Sequence, residues 1–358
     1  MSDDVRSIPK RMPSDWSPPV PAWSAQAPKE RALCIAYYGI QVLEGTCAAS
    51  VSEFRSWFQV LLRLPDAPAN CEYAEFIDSQ GYYTWLAIAY WQDANSYDRW
   101  SAGAAHQNYW SAPQRLQGAG VFREVLQVPG ERIEMLQSNF SQKAGAARVC
   151  PVPHEPVREH NYWGGMRDRL AISGQDPLLA TDPQALSNPS VEGLSGRHVR
   201  IRVPGNVAVI RSGQDFSDLQ GDEWALYSQR IEPALRDGMD FLARHGQETG
   251  CLSSRLLRET DAMGHRLSRS FGLAHFVSLQ HLEDWARSHP THLRIYNEFL
   301  AMAQALGGQL QLRLWHEVAV LPAHEQVFEY LNCHAGTGLM AHAGVSTFIS
   351  PHDSGVQA

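Results

Sequence analysis

The chain has 358 residues, 44% of them hydrophobic and 19% charged, enough for two ordinary domains with full cores. A formal net charge of −8, a pI near 6.0 and no run of Lys or Arg exclude a nucleic-acid or acidic-membrane surface. No apolar stretch reaches the ~18 residues of a membrane span, residues 1–10 carry no hydrophobic signal core, and the six cysteines form no Cys-x-x-Cys pair. The expectation is a cytoplasmic protein with reduced thiols.

Residues 1–30, with Pro9, Pro13, Pro18, Pro19, Pro21 and Pro28, read as an extended arm that Trp16 and Trp23 pin to the surface. A first unit follows over 31–149. Residues 81–91 (GYYTWLAIAYW) read as a strand, leading into a helix that ends near Trp100. Val121-Phe122-Arg123-Glu124-Val125 reads as a further strand, and a helical segment is expected over 131–138, carrying Glu134.

Residues 150–200 form a connector rich in Pro, Gly, Ser and Asp, far longer than an ordinary connection and therefore a candidate for function. A second unit over 201–345 repeats the first. Strand-like 267–276 leads into a helix through Trp285, the match of Trp100. Leu314-Trp315-His316-Glu317-Val318 matches Val121-Phe122-Arg123-Glu124-Val125, and a helix is expected over 325–332. More weakly, Ser212-Gly213 mirrors Tyr38-Gly39. Residues 346–358 are a tail. The fold class is α+β: two ferredoxin-like units packing their sheets face to face.

Where repeated units agree, the residue serves the fold; where their chemistry differs, one unit holds a site. His316 stands where the first unit has Arg123, and Ser288-His289-Pro290-Thr291-His292 stands near Ala105-His106-Gln107. The second unit is the better candidate. With 15 histidines in the chain, the plain alternative for any one is a hydrogen-bonded core side chain.

Other signatures fall away. His316-Glu317 lacks the second histidine of a zinc-protease helix. Gly336-Thr337-Gly338-Leu339-Met340-Ala341 lies too near the end of the chain for a dinucleotide fold and reads as a turn. Ser212, at a strand end, reads as a turn or cap residue or as a site hydroxyl. Tyr162-Trp163-Gly164-Gly165-Met166-Arg167-Asp168-Arg169 reads either as a surface Arg–Asp network or as a donor cluster at a pocket mouth.

Taken in order, the 162–169 segment, Ile210-Arg211-Ser212-Gly213-Gln214-Asp215, Ser288-His289-Pro290-Thr291-His292-Leu293, Leu312-Arg313-Leu314-Trp315-His316-Glu317-Val318 and Asn332-Cys333-His334 resemble the aldoxime dehydratase family over nearly the whole chain. That resemblance implies a lyase that uses ferrous haem b to remove water from an aldoxime, leaving a nitrile. It also implies the duplicated ferredoxin-like, dimeric α/β-barrel-type fold shared with chlorite dismutases and dye-decolorising peroxidases. The haem would be held without covalent attachment, since Cys-x-x-Cys-His is absent.

By the resemblance, His292 is the axial iron ligand and His316 the distal catalytic histidine. Ser212 and Arg169 are distal hydrogen-bond partners, and Glu134 is a supporting carboxylate. It alone chooses His292 over His289 and Arg169 over Arg167. Gly165 replaces a family serine, which suggests a larger pocket. A homodimer is the default assembly. A haem peroxidase, or a haem carrier needing His292 alone, are the alternative functions.

Overall fold

In a computed structural model, residues 6–141, 143–182, 196–324, 326–342 and 346–349 are described. The first block runs β1 (Ala32–Leu43), α1 (Ala48–Leu61), β2 (Asn70–Ile77), β3 (Tyr82–Trp91), α2 (Ala94–Ser101), α3 (Ala104–Trp110), β4 (Gly120–Pro129) and β5 (Ile133–Gln137). The connector carries a short helix, α4 (Gly165–Arg169), and β6 (His198–Ile201). The second block begins with β7 (Ala208–Asp215) and α5 (Gly221–Leu226), which continues through a π turn into α6 (Glu232–Thr249). It proceeds through β8 (Cys251–Thr260), β9 (Arg266–Phe276), α7 (Leu279–Ser288), α8 (Pro290–Ala305), β10 (Arg313–Val320) and β11 (Val327–Leu331), and β12 (Ser346–Ile349) follows.

The strands join one antiparallel sheet in the order β12-β6-β11-β4-β1-β3-β2-β8-β9-β7-β10-β5. β4-β1-β3-β2 and β8-β9-β7-β10 are the same arrangement, met from opposite directions. β1 and β3 are almost continuously buried, as strands covered on both faces must be. The blocks do not simply stack face to face. They meet edge to edge where β2 pairs with β8 at Tyr73–Thr260, Ala74–Glu259 and Glu75–Arg258. One face of the curved sheet also buries side chains of both blocks in a common core, among them Tyr37, Leu86, Phe122, Leu273 and Trp315.

Two expected helices are strands. Residues 133–137 form β5 and 327–331 form β11; Glu325 lies outside the described residues. The physical reason is an exchange between blocks. β5 of the first block pairs with β10 of the second, and β11 pairs with β4 of the first. Cross-strand partners distant in sequence thus decide the conformation, and no local pattern contains them. Val327-Phe328-Glu329-Tyr330-Leu331 does carry β-branched and aromatic residues that favour a strand.

The weak match of Tyr38-Gly39 to Ser212-Gly213 is real in register. Tyr38 lies opposite Arg123 and Ser212 opposite His316. Each glycine admits an aromatic ring: a Cβ on Gly39 would lie 2.1 Å from Phe122, and one on Gly213 2.2 Å from Trp315.

The arm is pinned as the tryptophans suggest. Trp16 Nε1 donates to the His160 carbonyl at 3.0 Å and Trp23 Nε1 to that of His154 at 3.0 Å. Trp23 also forms a β-bridge with Gln137 beside β5. The connector's first part lies under this arm; residues 183–195 of the connector and 350–358 of the tail lie outside the described residues.

Candidate active site

Alternation along β7 and β10 sets two faces. Arg211, Gly213, Trp315 and Glu317 point into the shared core, while Ser212 and His316 point toward the helices. Across β9-β7-β10-β5, the residues Gly272, Ser212, His316 and Leu136 form one row. Glu134 lies two residues along β5 from Leu136 and so shares its face. Ser212 is exposed although its strand is central in the sheet, so open space lies above this row.

The first block has no such space. There Tyr38 occupies the place of Ser212, and its ring packs 5.4–6.5 Å from those of Trp57, Phe58, Trp100, His106 and Trp110. Its hydroxyl lies 3.0 Å from His106 Nε2. One block fills the site with aromatic rings; the other leaves it open.

α4 brings Arg169 over the open row. Its Nε donates to Glu134 Oε2 at 2.7 Å and its Nη2 to Glu134 Oε1 at 3.0 Å. Nη2 also lies 2.9 Å from His316 Nε2, and the same nitrogen lies 3.0 Å from Glu134 Oε1. Nη1 donates to the Glu159 carbonyl. The Glu134 side chain is 0% exposed, Arg169 5% and His316 23%, so only the imidazole faces the open space appreciably. Burial alone would raise the Glu134 carboxyl, but Arg169 and His316 more than offset it and hold it below the usual carboxylate range.

Arg167 is engaged elsewhere. Its Nη2 donates to Glu283 on α7 at 2.7 Å and its Nη1 to the Pro177 carbonyl at 2.7 Å. Asp168 anchors the arm, accepting from the backbone N–H of Arg11 and Met12 and from the Tyr162 hydroxyl. Gly165 does not enlarge the pocket. A Cβ there would lie 3.1 Å from the Glu159 carbonyl oxygen and 3.3 Å from Arg169 Nη1, so the guanidinium already borders that space.

The two neighbouring histidines of α8 also separate. His289 is the N-cap: its Nδ1 accepts from the Thr291 N–H at 3.3 Å, and Pro290 fills the first helical position. His292 lies between the rings of Trp285 at 4.8 Å and Trp163 at 6.3 Å, and its Nδ1 is buried without a hydrogen-bond partner. Burial pushes this imidazole down to about 4, opposed in part by the Ala286 carbonyl, so the ring is neutral. Around it α8 is poorly covered: Tyr296 is 40% and Leu300 45% exposed, and Trp163 beside Tyr296 is 46% exposed.

Sequence reasoning missed two contributors. The Glu159 carbonyl holds Arg169 through the backbone, which no side-chain pattern reveals. Gly272, next to Ser212 in the row, keeps the floor low under Met239 of α6. A glycine inside a strand was the available signal. A separate cavity of 770 Å³, lined in part by Asp78, Leu235, Met239, Arg255 and His334, contains none of Glu134, Arg169, Ser212, His292 or His316.

A buried Arg–Glu pair converging on a histidine, with a neutral imidazole on α8 whose Nδ1 lacks a partner, is the set of groups that acid–base chemistry beside a bound cofactor would use. The chain belongs to the haem-containing dehydratase family, whose sequence model matches residues 36–339. It is 37% identical to an aliphatic aldoxime dehydratase of Rhodococcus globerulus, covering 95% of this chain and 96% of the relative. It is 31% identical to a phenylacetaldoxime dehydratase of Bacillus sp. (strain OxB-1), covering 96% and 97%. A solved aldoxime dehydratase in complex with butyraldoxime superposes with a TM-score of 0.86 at 35% identity, covering 94% of this chain and 93% of that one.

The residues present fit haem. His292 offers a neutral, half-buried imidazole on the poorly covered face of α8, the kind of donor an iron porphyrin takes. The half-covered aromatic and aliphatic side chains of α8 and Trp163 suit a flat apolar ring system.

Proposed function

We propose that this protein is an aldoxime dehydratase that converts R–CH=N–OH to R–C≡N and water. The observation that carries the reading is the convergence of Arg169 and Glu134 on His316 Nε2, on the open face beside Ser212. The names of the relatives that match along the whole chain support it.

His292 is the residue that would hold the haem. When bound there, ferrous haem b would supply an electron-rich metal centre for the aldoxime nitrogen, which favours loss of the N–O bond. The protein's part is proton movement. Hydroxide leaves poorly, so a proton must reach the oxygen as the bond breaks.

His316 Nε2 is the atom that carries it. Unprotonated, it accepts from Arg169 Nη2; protonated, it donates to Glu134 Oε1. Each state thus has a hydrogen-bond partner, and the imidazole gives a proton to the departing oxygen and takes back the one lost from carbon. Ser212 and Arg169 donate to that oxygen as charge develops on it. The atoms balance with no net oxidation.

Several features support the wider reading. The matched strand orders and the exchanged β5 and β11 fit duplicated ferredoxin-like units over 31–149 and 201–345, with the arm at 1–30, the connector at 150–200 and the tail at 346–358. A homodimer remains the default assembly for an enzyme of this size. Six free cysteines suit the cytoplasm. Anaerobic, dithionite-reduced protein incubated with butyraldoxime tests the function. Butyronitrile formed without added peroxide is the expected result; peroxide-dependent dye oxidation with no nitrile would replace it with a peroxidase.

A further inference from the structure

The short helix α4 carries two buried arginines, and the reaction above uses only one of them. Arg169 grips Glu134 of β5, Nε donating to Oε2 at 2.7 Å and Nη2 to Oε1 at 3.0 Å. Arg167 grips Glu283 of α7 with the same two nitrogens, Nη2 donating to Oε2 at 2.7 Å and Nε at 3.1 Å. Successive helical residues turn by about 100°, so positions two apart face opposite sides. α4 therefore reaches one way to the sheet and the other way to α7.

So short a helix is placed by its side chains. Its five residues have no helical stability of their own. The Arg167 and Glu283 side chains are only 7% and 6% exposed. A two-point fork between guanidinium and carboxylate sets orientation as well as distance, which apolar packing does not. The arm closes over the same place: Asp168 accepts from the backbone N–H of Arg11 and Met12, and Arg11 Nη1 donates to Glu283 Oε2 at 3.0 Å.

α7 in turn holds the helix of His292, with only His289 between α7 and α8. The Trp285 carbonyl accepts from the His289 N–H at 3.0 Å, and Trp285 Nε1 donates to Thr291 Oγ1 at 3.3 Å. Its ring meets that of His292 edge-on at 4.8 Å. A continuous run of contacts thus leads from His316 through Arg169, Arg167 and Glu283 to Trp285 and His292. Its two ends are the imidazoles assigned to opposite faces of the haem.

We propose that the Arg167–Glu283 pair is a strut that sets the spacing between the distal groups, Arg169 and His316, and the proximal His292. Both are positioning residues, acting through Arg169 rather than on the substrate. The inference rests on the dehydratase reading above.

Replacing one partner alone strands a buried charge and threatens the fold. The test therefore uses Arg167→Met/Glu283→Leu, which exchanges the pair for apolar side chains, and Arg167→Lys, which keeps the charge without the fork. Each haem-loaded protein is reduced and saturated with carbon monoxide, and the C–O stretching band is recorded. That band lies lower when a donor stands near the bound oxygen, and it does not depend on turnover. Steady-state kinetics on butyraldoxime follow.

The double variant is expected to keep its haem and show a broader band at higher wavenumber, because the distal donors recede. Its kcat falls ~10²-fold, the effect of a misplacement of about 1 Å, with KM little changed. Arg167→Lys is intermediate in both readouts, and it decides the question alone if the double variant does not fold. A wild-type band with wild-type kcat overturns the strut, since packing then suffices. So does a loss of kcat under an unchanged band. Wild type that forms no nitrile would overturn the dehydratase reading instead, while the band still tests the strut.

Discussion

Arg169 Nη2 stands 2.9 Å from His316 Nε2 and can donate to it when that nitrogen carries no proton. Glu134 Oε1 lies 3.0 Å from the same nitrogen and can accept from it when it carries a proton. One nitrogen thus has both a donor and a carboxylate within hydrogen-bond distance, the arrangement needed by a group that both gives and receives a proton. Glu134→Gln keeps the shape but leaves Arg169 charged and buried without its anion. Stability should drop by about 3–5 kcal/mol in urea unfolding of the purified variant, together with most of the turnover. A variant as stable as wild type would mean that the pair is not the anchor of the site.

The two histidines of α8 should separate cleanly. His292→Ala should lose haem or change its absorption spectrum strongly. His289→Ala should keep the spectrum and lose only a helix cap, about 1 kcal/mol. An unaltered spectrum in His292→Ala would move the ligand elsewhere.

How much of this was legible in the sequence depends on the range of the interactions. Matched Trp100 and Trp285, and matched β4 and β10, are local patterns, and the repeat follows from them. The openness of the second block was legible too, because Ser212 replaces Tyr38 and His316 replaces Arg123. Glu134 was placed on a helix because its strand partner, Val318 of β10, lies in the other block. Residue pattern alone did not tell Arg169 from Arg167; the family resemblance chose between them, and their contacts differ, Glu134 for one and Glu283 for the other. The same resemblance chose His292 over His289, and their settings differ, since His289 caps α8.

The paired glycines give a test of the repeat itself. Gly39→Ala and Gly213→Ala each force an aromatic ring aside, and each should cost about 1–3 kcal/mol in thermal or denaturant unfolding. Turnover should suffer in Gly213→Ala alone, because Trp315 adjoins His316 while Phe122 adjoins no site residue. Equal activity losses in both would place the effect in global stability.

Two buried histidines make stability depend on pH. Burial lowers His106 to about 3 and His275 to about 4. Both ring nitrogens of His275 lack partners. Between the folded values and ~6.5, the unfolded chain binds protons that the folded chain refuses, so stability is full above that range and declines as pH falls through it. Each histidine contributes a slope of about 1.4 kcal/mol per pH unit. His275→Gln should flatten the decline between pH 6.5 and pH 5 by about that amount; an unchanged slope would show that the ring is protonated in the fold.

Removing the distal donors should slow the reaction without displacing haem. Ser212→Ala or Arg169→Gln should lower kcat by ~10²–10³, measured under anaerobic, reduced conditions. Loss confined to KM would assign these side chains to substrate binding alone.

The most direct measurement is nitrile formation by His316→Ala, reduced, haem-loaded and mixed with butyraldoxime, alongside its absorption spectrum. The expected result is a wild-type spectrum with nearly all dehydration abolished, since the atom that moves the proton is gone while the residue that would hold the haem remains. Substantial nitrile production by that variant would contradict the account.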